Sequence, residues 1–237
     1  MRAKITKAML LAGIFTLLGL GAEADDTKAD DWAQFYRYRQ ANADTAAHGA
    51  DAVFMGNSIT DNWAKYDPDF FAGNGYVGRG ISGQTTSEML VRFRRDVIDL
   101  APKVVVILAG TNDVAGNNGQ ITLEDAAGNI QSMCELARAN GIIPILCSVT
   151  PCDHFSWRPQ ARPGKSIIEL NALLRQYALE AGIDYVDYHS AMADTDGAML
   201  EGLSSDGCHP TIEGYKIMEA IVAPRIEAAL QGAAAAD

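Results

Sequence analysis

The stretch "KVVVILAGTND", residues 103–113, decides the fold. Val104, Val105, Val106, Ile107 and Leu108 are apolar without a break. β-Branched side chains favour extended backbone. A strand that is apolar at every position, instead of every second one, is covered on both faces, which is the condition of a parallel sheet between helices. Gly110 and the Asn112-Asp113 pair then supply a tight exit at the carboxyl end of that strand, because Gly and Asn tolerate backbone angles that other residues resist.

The same grammar recurs outward from this stretch. Strands are expected over 52–55, 76–80, 142–149 and 184–188 as well as 103–109. Between them lie helix-period segments. Residues 86–100 put Met89, Leu90, Phe93, Val97 and Leu100 near one face; 123–139 does likewise and closes on Asn140-Gly141, a C-cap pair. Residues 166–181 close at Gly182, and 212–230 begins just after Pro210, read here as a first-turn proline. A further helix is expected over 31–43. Strand–helix alternation of this kind makes an α/β fold, a three-layer α/β/α sandwich around a five-stranded parallel sheet. The only low-complexity segment is the alanine-rich end, 232–237, and no internal repeat divides the chain.

Residues 1–24 read separately. Arg2, Lys4 and Lys7 precede an apolar run over 8–20, and Ala22-Glu23-Ala24 follows as an A-x-A pattern. That is a signal peptide with cleavage expected after Ala24, leaving 25–237 as a single domain, periplasmic or extracellular. The apolar run is shorter than the ~20 residues that span a bilayer, and no cysteine stands near the cleavage point, so no stable membrane anchor is expected. The formal charge is −11. With no Lys/Arg cluster, nucleic acid and anionic membranes are excluded as partners.

Four cysteines, Cys134, Cys147, Cys152 and Cys208, fit no zinc spacing. There is no H-E-x-x-H, paired C-x-x-C, phosphate loop or complete dinucleotide fingerprint, so neither metal nor cofactor is implied. Cys152 and Cys208 fall on neighbouring loops, either as a disulfide permitted by export or as two free thiols.

In doubly wound folds ligands bind at the carboxyl ends of the strands, where every glycine-marked polar segment of this chain falls. Gly56-Asn57-Ser58 follows the first strand, Gly80-Ile81-Ser82-Gly83 the second, Gly110-Thr111-Asn112-Asp113 the third and Pro151-Cys152-Asp153-His154 the fourth. Ser205-Asp206-Gly207-Cys208-His209-Pro210 lies between the fifth and the last helix. Ser58 is the candidate nucleophile. His209 is the candidate base, with Asp206 three residues earlier to accept its Nδ1–H. The Ser58 N–H, the Gly83 N–H and the Asn112 amide are candidate donors to a developing oxyanion. Taken singly, each of these residues has a plain structural use: a turn, a cap or a loop histidine.

Together, "FMGNSITDNW", "GRGISGQTT", "ILAGTNDVAGN" and "DGCHPTIEGY" resemble, in order and over almost the whole mature chain, the four blocks of the SGNH or GDSL hydrolases. The likeness is to the branch holding platelet-activating-factor acetylhydrolase catalytic subunits and bacterial carbohydrate acetylesterases. It implies a flavodoxin-like fold and a serine esterase, with Ser58, Gly83, Asn112 and His209 as the family's four block residues and Asp206 as the acid. Asn57 departs from the aspartate that many members carry before the serine. The resemblance implies hydrolysis of short acyl esters, acetyl above all, on small-molecule or oligosaccharide substrates. A lipid esterase or lysophospholipase, and a catalytically silent carbohydrate-binding protein, are the alternatives.

Trp157 sits in a polar insert over 151–165 and is the candidate substrate-stacking residue. Trp63 and Phe155 read as core. Arg158 and Arg162 read as exposed, His189 as structural, and Asp113 as a support for the Asn112 loop.

Overall fold

A computed structural model of the chain describes residues 31–234; the expected leader and the last three residues of the alanine-rich end lie outside them. Nine α-helices, one 3₁₀ turn and five strands occupy the described residues. In chain order they are α1 (Arg39–His48), β1 (Ala52–Gly56), α2 (Ser58–Tyr66), α3 (Pro68–Gly73), β2 (Tyr76–Gly80), α4 (Thr86–Asp96), the 3₁₀ turn (Ile98–Leu100) and β3 (Val104–Leu108). There follow α5 (Thr111–Val114), α6 (Leu123–Ala139), β4 (Ile143–Cys147), α7 (Gly164–Ala181), β5 (Asp184–Val186), α8 (Tyr188–Met192) and α9 (Ile212–Ala234). All strand pairs are parallel, in the order β2-β1-β3-β4-β5, the flavodoxin-like order.

Period-2 alternation sorts each strand between two cores. Val53, Met55, Val105, Ile107 and Leu146 face α4, α6 and α7 through Met89, Phe93, Ile130, Met133, Leu170 and Leu174. Ala52, Phe54, Val104, Val106, Leu108 and Ile145 face the other way, toward Ile59, Trp63, Phe71, Tyr215, Met218 and Val222. The unbroken apolar runs are thus explained: each strand feeds two cores. Trp63 is buried and stacks between Phe70 and Tyr215, with centroids 5.5 and 5.4 Å away, while its Nε1–H donates to Glu219 at 3.0 Å. Burying a side chain of this size stabilises the fold by about 1.5–3 kcal/mol.

Several boundaries differ from the sequence reading, and three of them have a clear physical cause. The helix expected over 31–43 begins only at Arg39; Asp31 to Tyr38 form successive turns, with Gln34 in the left-handed region at φ 57°. Tertiary bonds hold that path: the Ala33 carbonyl accepts from Gln84 Nε2 at 2.9 Å, and the Tyr38 hydroxyl donates to the Gly80 carbonyl. β5 ends at Val186 because Asp187 caps α8, accepting from the Ser190 N–H. Pro210 lies outside α9; Thr211 Oγ1 accepts from the Gly214 N–H at 3.3 Å and starts the helix.

Candidate active site

The strand ends meet where β1 passes into α2. Asn57 is the N-cap, its side chain accepting from the Ile59 N–H at 2.9 Å, which leaves Ser58 as the first helical residue. The tight passage depends on small neighbours: a Cβ on Gly80 would lie 2.2 Å from the Asp61 backbone nitrogen, so any larger residue on β2 would push α2 away.

Ser58 Oγ lies 2.8 Å from His209 Nε2, across 151 residues of sequence. On the far side of the ring, His209 Nδ1 lies 2.7 Å from Asp206 Oδ2. Asp206 Oδ1 also accepts from the backbone N–H groups of His209, at 2.8 Å, and Cys208, at 3.0 Å. Partial burial works against the Asp206 carboxylate, but the His209 and Cys208 donors outweigh it and hold its pKa at about 2. An ionised carboxylate only accepts, so Nδ1 carries the proton and Nε2 is left as an acceptor for the Ser58 hydroxyl. Such an arrangement can draw a proton off a hydroxyl that attacks an electrophile.

Facing it are the candidate donors. Gly83 has φ 85°, and a Cβ there would meet no protein atom within 4 Å. Conformation therefore requires this glycine, while the space beside it belongs to the cleft. Asn112 Nδ2 gives one hydrogen to the Gln84 carbonyl at 2.9 Å, and Asn112 Oδ1 accepts from Asn117 Nδ2 at 3.1 Å. Its amide is thereby fixed, with a second N–H remaining. The Ser58 N–H belongs to the first turn of α2, where helix geometry supplies no acceptor.

A buried network supports these donors. Gln84 Oε1 accepts from Arg92 Nε at 2.5 Å. Arg92, fully buried, also donates to the carbonyls of Gly56 and Arg79, at 2.9 Å each, and to Asp96 at 2.8 Å. One guanidinium thus ties together the ends of β1 and β2 and the loop carrying Gly83. Sequence reading passed over Arg92, although a signal existed: positions 89, 92, 93 and 96 share one helix face, so an Arg and an Asp four apart fall on a stripe otherwise buried. Asp113 takes the Thr86 N–H at 3.1 Å and the Thr86 hydroxyl at 2.6 Å. It supports the start of α4 rather than the Asn112 side chain, and burial raises its pKa to about 6.

The cleft over Ser58 has a volume of about 370 Å³ and is lined by Ser58, Asn62, Ser82, Gly83, Asn112, Asn117, Trp157 and His209. The six candidates Ser58, Asp206, His209, Gly83, Asn112 and Trp157 are therefore brought together, Asp206 from behind the histidine. Trp157 is 40 % exposed, its ring centroid 5.8 Å from that of His209 and its Nε1–H directed at Asn117 Oδ1. Asn62, Ser82 and Asn117 were not legible beforehand, since single polar residues carry no local signal. His154 pairs with Asp153 at 2.7 Å and backs the loop at Gly207, where a Cβ would lie 2.2 Å from His154 Cε1. Arg158 donates to the Gly116 carbonyl, bracing the insert. His189 and Arg162 lie outside the cleft.

All four cysteines are free and buried. Of the two readings of Cys152 and Cys208, the structure has the thiols: Cys152 Sγ donates to the His154 carbonyl at 3.0 Å, and the neighbouring Cys152, together with burial, drives the Cys208 pKa far up. No helix among the described residues is long and apolar enough to cross a membrane.

Comparison with known proteins agrees with this fold. The model of the GDSL-like Lipase/Acylhydrolase family matches residues 54–217. A GDSL-like lipase from Bacteroides thetaiotaomicron VPI-5482 is 46 % identical, with a TM-score of 0.78 over 83 % of this chain and 98 % of that one. The uncharacterized lipoprotein YqeF of Bacillus subtilis (strain 168) is 37 % identical over 168 residues, covering 60 % of this chain and 69 % of that protein. Axe2, an acetylxylan esterase from Geobacillus stearothermophilus, is 21 % identical with a TM-score of 0.62, over 75 % of this chain and 95 % of that one. At that identity the likeness is one of fold.

Proposed function

Because the chain belongs to the GDSL-like lipase/acylhydrolase family and is a carboxylic ester hydrolase, we propose that Ser58 is its nucleophile, His209 its general base and Asp206 the group that orients His209. The observation that carries this reading is the unbroken relay from Ser58 Oγ through His209 to Asp206, with contacts of 2.8 and 2.7 Å. Ser58 Oγ attacks the ester carbonyl as its proton passes to His209 Nε2. The oxyanion that forms accepts from the Ser58 and Gly83 N–H groups and the free Asn112 N–H. His209 returns the proton to the departing alkoxide, leaving an acyl-enzyme on Ser58. Water activated by the same histidine releases the acid.

The substrate class we propose is a short acyl ester, acetyl above all, on a carbohydrate. The small cleft, its amide-rich wall and the half-exposed Trp157 support this over a long acyl chain. Export is supported by the leader expected over 1–24.

An active-site fluorophosphonate should label Ser58 alone, located by peptide mass. Ser58→Ala should lose the label and about 10⁴-fold or more of kcat/KM on 4-nitrophenyl acetate while keeping the native circular dichroism. Labelling elsewhere, or near-normal turnover by the folded variant, would remove Ser58 from the role. In an acyl-length series acetate should lead; a preference for octanoate would replace the carbohydrate reading with a lipid one.

A further inference from the structure

A second cleft adjoins the one over Ser58. Its volume is about 320 Å³, within the ~300–1,000 Å³ range of small-ligand pockets. Trp32, Ser87, Glu88, Asn117 and Asn118 are among its walls. Asn117 belongs to both clefts, so the two share a wall. Asn117 is tied on the catalytic side to Asn112 at 3.1 Å and to Trp157 at 3.4 Å.

Trp32 is 65 % exposed, while the next residue, Ala33, is fully buried. Chance exposure at a loose end would not combine these. The Ala33 carbonyl is held by Gln84 Nε2, and Gln84 in turn holds Asn112 and Arg92. The turn series over 31–38 therefore fixes Trp32 at the rim through the same network that fixes the candidate oxyanion donors. A rigid indole offers a large apolar face at small entropic cost.

Across the cleft, Asn118 occupies the left-handed region at φ 57° and donates to Glu88 Oε2 at 2.7 Å. Glu88 Oε2 also accepts from the Thr85 N–H and hydroxyl. Neutral amides and hydroxyls beside carboxylates suit a ligand rich in hydroxyl groups. The carboxylates of Glu88 and Asp113 disfavour an anionic one.

We propose that this cleft is a saccharide subsite: a neutral sugar ring, one unit along from the ring whose acyl group reaches Ser58, stacks its C–H face on Trp32 and hydrogen-bonds to Asn117 and Asn118. The proposal rests on the carbohydrate esterase reading and deepens it. It makes the enzyme selective for oligosaccharide esters over single-ring ones, with Trp157 serving the first ring and Trp32 the second.

The test uses the full chain and acetylated xylose, xylobiose and xylotriose beside 4-nitrophenyl acetate. Trp32→Ala should lower the ratio of kcat/KM on acetylated xylotriose to that on 4-nitrophenyl acetate by about tenfold, the worth of one good aromatic contact. The loss should lie in KM, be absent for acetylated xylose, and be largely restored in Trp32→Phe. An equal loss on all substrates, or none on the oligosaccharides, overturns the subsite. Binding of unacetylated xylotriose to Ser58→Ala, measured by calorimetry, separates the two readings. If acetylated sugars are not hydrolysed but xylotriose binds and Trp32→Ala abolishes that binding, the subsite stands and the ester reading fails. If xylotriose does not bind, the subsite fails whatever the esterase activity.

Discussion

The two halves of the candidate site are built differently. The donor half has a buried backing, Gln84, Asn112 and Asp113 with Thr86 and Arg92 behind them, with Asn112 only 3 % exposed and Arg92 fully enclosed, while Gly83 opens onto the cleft. Its hydrogen bonds link the ends of β1 and β2, the start of α4 and the turn after β3. The base half is a single turn, in which Asp206 and His209 are three residues apart and their side chains 32 and 25 % exposed. It is held by the Asp206 caps, by His154 against Gly207 and by the contact between Cys208 and Cys152. The contrast follows from the chemistry each half would serve. Donors that stabilise a developing charge act by standing still, so the network that holds them belongs to the rigid interior. A base must exchange protons with substrate and water, so it belongs where water reaches it.

The sharpest way to break this comparison is at the base. His209→Ala should lower kcat/KM by about 10⁴-fold or more, with a melting temperature close to that of the parent, because the side chain lies on a part-exposed turn. Calorimetry beside ester kinetics checks both. A large loss of stability would mean that the turn holds up the fold as well. Asn112→Ala should cost less in rate and more in structure. Removing one donor lowers kcat by about 10²–10³-fold with little change in KM. The buried Gln84 carbonyl also loses a partner, at roughly 1–3 kcal/mol for a buried group left unsatisfied. A change confined to KM would make Asn112 a binding residue only.

The smallest effect is the dependence of stability on pH, and it has opposite signs in the two halves. Burial raises the Asp113 pKa to about 6 in the folded chain, from an ordinary carboxyl value of 3.8. The folded state therefore takes up its proton first on acidification, and Asp113 adds stability as the pH falls from about 7 to about 4. Asp206 titrates at about 2. Its contribution is present above about pH 4 and is lost only as the pH falls below that. Denaturant unfolding between pH 4 and 7 should show the first trend, and Asp113→Asn should flatten it. An unchanged slope in that variant would assign the trend to another group.

Much of this was legible beforehand for local reasons. An unbroken run such as Val104 to Leu108 states its own coverage, and β2 and α6 begin and end where period and caps place them. The glycine-marked polar segments fall at the strand ends because a chain leaving a buried strand needs residues that turn. The helix expected over 31–43 shows the limit. Its first turns gave way to bonds from Gln84 and to Gly80, residues some forty to fifty positions away that local propensity cannot weigh.

What the sequence by itself determined is the parallel α/β architecture, the five strands and the set of candidate residues Ser58, Gly83, Asn112, Asp206 and His209, because side-chain size, periodicity and turn chemistry are properties of neighbours along the chain. Only the tertiary structure decided that Arg92 pins the strand ends, that Asn117 joins two clefts, that Cys152 and Cys208 are unbridged, and that Trp32 stands exposed at the rim beside a fully buried Ala33. Burial and contact of this kind arise from packing between segments far apart in sequence, where no local pattern records which faces will meet.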